Sequence, residues 1–181
     1  MSPRSSAPLT LEYILLGLLT GQPMHGYDLH RELQTVEGIS KIWSVKQSQL
    51  YALLEKLEER GFLRAELTAG EVFAQRKVYH VTPAGRQALQ VWLSTPVAHT
   101  REVRQEFLAR LYFAQLAGSA AAAALIQAQQ AVGQGWLSRL QEDAQALDAG
   151  QTFERLVLDY RIRQVQAVLD WLERAAAELR A

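Results

Sequence analysis

Apolar positions recur along this chain at helical spacing, with one interruption near the middle of its first half. Leu11, Ile14, Leu15, Leu18 and Leu19 form an i, i+3, i+4 stripe that Thr10 can cap and Thr20-Gly21-Gln22-Pro23 breaks. A second helix is predicted from about His25 to Glu37, burying Leu29, Leu33 and Val36, and Gly38 to Trp43 links it to a third. The third opens on Ser44-Val45-Lys46-Gln47, a capping box in which Ser and Gln each satisfy a backbone donor. Its apolar face is Leu50, Leu53, Leu54 and Leu57, and Arg60-Gly61 stops it, since Gly takes the left-handed conformation cheaply. The pattern then changes. Phe62 to Thr68 and Arg76 to Val81 are predicted to pair as strands around a loop carrying Gly70. Three short helices followed by a two-stranded ribbon is the order of elements in a winged helix-turn-helix. Thr82-Pro83 starts a fourth helix, Thr at the N-cap and Pro at the first helical position, which buries Leu89, Trp92 and Leu93 and stops at Thr95-Pro96.

The rest is predicted wholly helical. Arg101 to Ala117 turns Val103, Phe107, Leu108, Leu111 and Leu116 inward. Gly118-Ser119 separates it from a long Ala/Gln-rich helix running to about Ala149, with Leu125, Val132, Trp136, Leu140 and Leu147 inside and a kink expected at Gly133 or Gly135. Gly150 ends that helix and Thr152 caps the last. There Leu158, Ile162, Val165, Leu169, Leu172, Ala176 and Leu179 alternate four and three apart, a three-heptad a/d seam. Val157, Arg161, Val168 and Trp171 make a second stripe beside it. The seam either packs within its own chain or joins two copies; its combined width favours a homodimer held by Leu158, Ile162, Val165, Leu169, Leu172 and Leu179. The expected fold is mostly α with a small β-ribbon: an N-terminal winged helix-turn-helix over residues 1–97 and a C-terminal helical dimerisation domain over 98–181.

Composition narrows the function. The chain has 181 residues, 49% of them hydrophobic, which is enough for a packed core. No cysteine occurs, so disulfides and thiolate metal sites are excluded. No apolar run is long enough to span a bilayer, and Met1 to Pro8, a Ser/Pro-rich arm, lacks the apolar core of a signal peptide; a cytoplasmic protein is expected. Net charge is zero, from 19 basic and 19 acidic residues. Any nucleic-acid binding must therefore come from a local patch and a dimer. All four lysines, Lys41, Lys46, Lys56 and Lys77, lie in the first half, three of them in or beside the helix–ribbon unit. His25, His30, His80 and His99 make no metal-ligand spacing, and no GxSxG, P-loop or complete GxGxxG is present. Neither an enzyme nor a cofactor is expected.

The candidate groove-reading face of the third helix holds Val45, Ser48, Ala52, Glu55 and Lys56, flanked by Gln49 and Tyr51. Lys46, Gln47, Ser48 and Gln49 lie in its first turns, where amides and hydroxyls read base edges, Gln suiting adenine. Gln47 alternatively serves the cap alone. Tyr51 meets a phosphate or packs under the ribbon, Arg76 and Lys77 touch backbone phosphates or stay solvated, and His25-Gly26-Tyr27 offers helix N-terminal amides to a phosphate. Trp92, Tyr112, Trp136, Tyr160 and Trp171 are candidates for an effector pocket, or else core.

Several of these stretches together resemble the PadR family of transcriptional regulators. They are Ile14-Leu15-Leu16-Gly17-Leu18-Leu19, Met24-His25-Gly26-Tyr27-Asp28-Leu29, Trp43 to Tyr51, Leu54 to Leu63 and Arg76 to Arg86. Arg101-Glu102-Val103 to Phe113 is similar to the opening helix of the C-terminal domain in the virulence-activator-like group. Ala52 departs from the pattern, where many members have Pro, and so does the short loop Ala69 to Gln75 with one Gly and no added base. The resemblance implies a homodimeric winged-helix protein, usually a repressor, released from double-stranded DNA when a ligand binds. A two-fold dimer in turn makes an inverted-repeat operator the expectation, and the Trp and Tyr residues make an aromatic or otherwise hydrophobic small molecule the expected ligand. A winged helix used only for protein contact is the alternative.

Overall fold

The structure, a computed structural model, describes residues 10–36, 39–43, 45–68, 76–148 and 150–179. The predicted arm Met1 to Pro8, the capping Ser44, the loop Ala69 to Gln75 and the cap region at Ala149 lie outside them. The chain forms two compact units, Met1–Leu93 and Ser94–Ala181.

In the first unit the predicted stripe becomes α1 (Thr10–Gly21), with Ile14, Leu15 and Leu16 fully buried. A two-residue strand β1 (Met24–His25) precedes α2 (Gly26–Thr35), and a single turn α3 (Ile39–Ile42) precedes α4 (Gln47–Glu59). Strands β2 (Leu63–Thr68) and β3 (Arg76–Val81) follow, then α5 (Pro83–Ser94). The ribbon is thus a three-stranded antiparallel sheet among the described residues, in the order β1-β3-β2. Its register sets Met24 opposite Tyr79 and Leu63 opposite Val81. Two residues are too short to show alternation, which is why the pattern gave Met24 no element and put His25 at the start of a helix instead. Thr82 caps α5 as predicted: its Oγ1 accepts from the Gly85 amide at 3.1 Å and donates to the Gly61 carbonyl at 2.6 Å.

The capping box predicted for α4 rests on Ser44, outside the described residues. The helix begins at Gln47, and Lys46 occupies the N-cap in extended conformation without a capping bond from its own side chain. Val45, assigned to the groove face, is 8% exposed and belongs to the core. Inside, Leu50, Leu54 and Leu57 are fully buried, each contributing about 1.5–3 kcal/mol.

The second unit is helical among its described residues: α6 (Thr100–Glu102), a π-helical turn Val103–Phe107, α7 (Leu108–Ala117), α8 (Ser119–Gln145) and α9 (Thr152–Glu178). The wider turn brings Glu106 and Phe107 inward together. Glu106 pairs with Arg110 one turn on, and Arg110 also donates to the Thr95 carbonyl. One core packs Val97, Phe107, Leu125, Ile126 and Leu172; another packs Leu140, Leu158 and Val165, and Trp136 touches both. Leu116, expected inside, is 69% exposed. Helix α8 runs through both glycines as one element, with Gly133 set against Leu169 of α9 where a β-carbon would come within 2.8 Å of it. Gly133 therefore serves close packing of two helices. Gln151 precedes α9, and Thr152 is its first residue in place of the expected cap.

Candidate nucleic-acid interface

Helix α4 is pinned from behind by a buried acid. Glu12 of α1 is 3% exposed amid leucines, and it accepts from Lys56 Nζ at 2.7 Å in the last turn of α4 and from Arg60 Nη1 at 2.8 Å at its C-cap. A buried carboxylate needs such partners. Lys56, assigned to the groove face, is therefore drawn onto the α1 side. The reason was available in the sequence: an acid inside an apolar stripe calls for a cation.

With that side anchored, α4 presents Gln47, Ser48 and Gln49 to solvent, next to an exposed Lys46. Beside them lies a cavity of about 730 Å³ lined by His25, Gly26, Tyr27, Asp28, Tyr51, Glu55, Arg76, Lys77 and Tyr79. It gathers His25, Tyr27, Tyr51, Arg76 and Lys77, which the sequence assigned to DNA contact, with Glu55 of the expected groove face, and adds the carboxylate Asp28. Gly26 is required there. A β-carbon on it would stand 2.6 Å from Tyr51 Cε1, so only glycine lets the ring lie on the start of α2. The His25 ring nitrogen Nδ1 lies 3.1 Å from the Lys77 carbonyl, locking β1 to β3 at the cavity rim. Tyr27 is 60% exposed.

Lys77 already has a partner. Its ammonium donates to Glu58 Oε2 at 3.1 Å, and this hydrogen bond, with the charge behind it, raises the Lys77 pKa above its ordinary value. A raised lysine adds stability below its ordinary range and loses it only as pH climbs through the raised value, so the pair is intact at neutral pH. Two of the lysines expected to meet DNA are thus held by carboxylates, Lys56 by Glu12 and Lys77 by Glu58.

The aromatic residues assigned to an effector pocket do not share one site. Trp92 stacks on Tyr13 in the core of the first unit, centroids 5.1 Å apart at 12°. Trp171 meets Phe107 edge-on, and Tyr112 meets Phe113 edge-on. Trp136 and Trp171 line separate grooves, and Tyr160 faces solvent. The assigned dimer seam is likewise internal. Leu158, Val165 and Leu172 are buried against their own chain, with Ile162, Leu169 and Leu179 packed around them. The a/d period reported an intrachain helix pair, α8 with α9. What α9 leaves outside is another face, where Phe153, Leu156 and Tyr160 are 73%, 63% and 65% exposed and Val157 adjoins them.

A winged helix-turn-helix followed by an all-helical unit defines the class of two-part transcriptional regulators. Residues 15–91 match the transcriptional regulator PadR-like family and residues 103–180 match the virulence activator alpha C-terminal domain. The negative transcriptional regulator PadR of Bacillus subtilis is 30% identical over 172 residues, covering 90% of this chain and 93% of that one. The chain belongs to the PadR-like family. Bacillus subtilis PadR solved with operator DNA is 29% identical at a TM-score of 0.47, covering 93% of this chain and 98% of the other. The same protein solved with p-coumaric acid is 27% identical at a TM-score of 0.43, covering 95% and 99%.

Proposed function

We propose that the protein is a ligand-responsive repressor that binds an inverted-repeat operator in double-stranded DNA as a homodimer, in the cytoplasm and without catalysis. The observation that carries this reading is the start of α4. Lys46, Gln47, Ser48 and Gln49 are exposed on a helix whose opposite face is fully packed, beside the cavity that holds His25, Tyr27, Tyr51, Arg76 and Lys77. A short polar helix end of this kind fits a major groove. The negative regulation named for the Bacillus relative supports repression. Among the described residues no helix is long and apolar enough to cross a membrane.

The second copy is assigned to the outer face of α9. Phe153, Leu156, Val157 and Tyr160 lie within two turns, and a stripe of this size costs free energy in water. A two-fold dimer turns two α4 helices the same way, so half-sites fall about one helical turn, or a small multiple, apart. The effector is a hydrophobic or aromatic small molecule, p-coumaric acid being the compound found with the Bacillus protein. It acts by favouring a dimer geometry with the wrong helix spacing.

A mobility shift of the purified protein on DNA upstream of its own gene, against a scrambled duplex, tests the reading. Selective retardation is expected. Equal binding or none favours the protein-contact alternative, which the zero net charge and the two engaged lysines support.

A further inference from the structure

We propose that His30 of α2 is the positioning residue that fixes where α4 begins, and with it the height at which Lys46, Gln47, Ser48 and Gln49 are offered. It touches no base and acts on the backbone ahead of the helix. Its consequence for base readout rests on the operator reading proposed for α4.

His30 is partly buried, beside Leu29 and three residues before Leu33, two buried leucines of α2. Its Nε2 lies 3.0 Å from the Val45 carbonyl. A carbonyl can only accept, so Nε2 carries the proton and donates. The Val45 carbonyl needs that donor. Lys46 is extended, with ψ at 146°, and the first bond of α4 runs from the Leu50 amide to the Lys46 carbonyl at 3.0 Å. Val45 therefore stands one residue ahead of the helical ladder, and it is buried. A backbone acceptor drawn away from water and outside a ladder takes another partner or costs free energy. His30 is that partner.

Helix α2 meets the same stretch at a second point. The ring of Tyr51 lies on Gly26, where a β-carbon would stand 2.6 Å from Cε1. Gly26 and His30 are about one turn apart on α2, while Val45 and Tyr51 bracket the row from Lys46 to Gln49. Two fixed points set both the height and the tilt of what lies between them. The leucines do less. Leu50 and Leu54 hold α4 against the unit, but apolar burial has no direction and fixes the distance between helices more firmly than the position along the axis. A hydrogen bond fixes both. Successive bases on a strand are about 3.4 Å apart along the duplex, so a helix displaced by that much meets the neighbouring pair. Glu12 holds the far end of α4 through Lys56 and Arg60, and His30 with Tyr51 holds the near one.

Hydrogen exchange of the full-length protein without DNA, read residue by residue by NMR, and duplex affinity test this on His30→Leu and His30→Gln. Leucine keeps bulk and loses the donor; glutamine can set an N–H near the position of Nε2. In His30→Leu the Leu50 and Tyr51 amides are expected to exchange about tenfold faster while those of β3 keep the parental rate, and His30→Gln is expected to restore them. The affinity ratio of operator to scrambled duplex is expected to fall about tenfold in His30→Leu and to recover in His30→Gln, with binding to the scrambled duplex held within about twofold. Parental exchange at Leu50 and Tyr51 in His30→Leu, an equal acceleration in β3, or no recovery in His30→Gln overturns the proposal, as does an unchanged ratio where the parent discriminates. A parent that binds both duplexes alike, or neither, counts against the operator reading, and the exchange in α4 then decides the role of His30 by itself.

Discussion

Helices α4 and α9 have the same inner face and opposite outer ones. Leu50, Leu54 and Leu57 on α4 are fully buried; Leu158, Val165 and Leu172 do the same work on α9. Outside, α4 shows Gln47, Ser48 and Gln49, while α9 shows Phe153, Leu156 and Tyr160. Periodicity reports only the inner face, because that is where burial repeats every three or four residues. The outer face differs in what it suits: an amide row suits a base edge, and an apolar row suits a second protein surface.

Charging the outer face of α9 breaks the comparison most severely. Leu156→Glu with Tyr160→Glu is expected to yield a folded monomer, and operator affinity should fall by roughly 10²–10⁴-fold as avidity is lost. Sedimentation equilibrium beside a mobility shift checks both; a dimer that survives refutes the assignment. An inner-face change behaves otherwise. Leu172→Ala removes a fully buried side chain and should cost about 2–5 kcal/mol of stability by denaturant unfolding, with dimerisation intact under native conditions.

The corresponding change on α4 is smaller. Gln49→Ala should leave unfolding unchanged and relax discrimination at one position per half-site by roughly 1–3 kcal/mol, read as the affinity ratio of operator to scrambled duplex. An unchanged ratio removes Gln49 from the readers. The smallest effect is expected at the ribbon. Glu58→Gln releases Lys77 from its 3.1 Å partner, so binding to any duplex should strengthen modestly and the salt slope steepen by about one unit. No steepening would mean that Lys77 faces no phosphate.

Much of the fold was legible because long burial patterns repeat. The stripes of α1, α4, α8 and α9, the Thr82-Pro83 start and the pairing of β2 with β3 all express that repetition. Short elements escaped. Met24–His25 and Ile39–Ile42 have two and four residues, about one period each and so too short to show a repeat. The site was legible as residue types and not as pairings. Lys46, Gln47 and Gln49 lie where α4 was expected to offer them, whereas Lys56 and Lys77 answer to Glu12 and Glu58, which are 44 and 19 residues away in sequence. The a/d seam misled for a related reason, since a heptad pattern is the same whether its partner is α8 or another copy.

On the proposed reading, the carboxylates that hold Lys56 and Lys77 would also bear on how the protein is shared out along a chromosome. Random duplex outnumbers an operator by about 10⁶–10⁹ sites, and backbone charge is what retains a regulator on it. A lysine turned toward its own glutamate forgoes that contact on every sequence alike, and on the proposed reading the amides of α4 would still distinguish one. Fewer molecules would then be stranded on unrelated DNA, and a smaller copy number would keep a single operator filled.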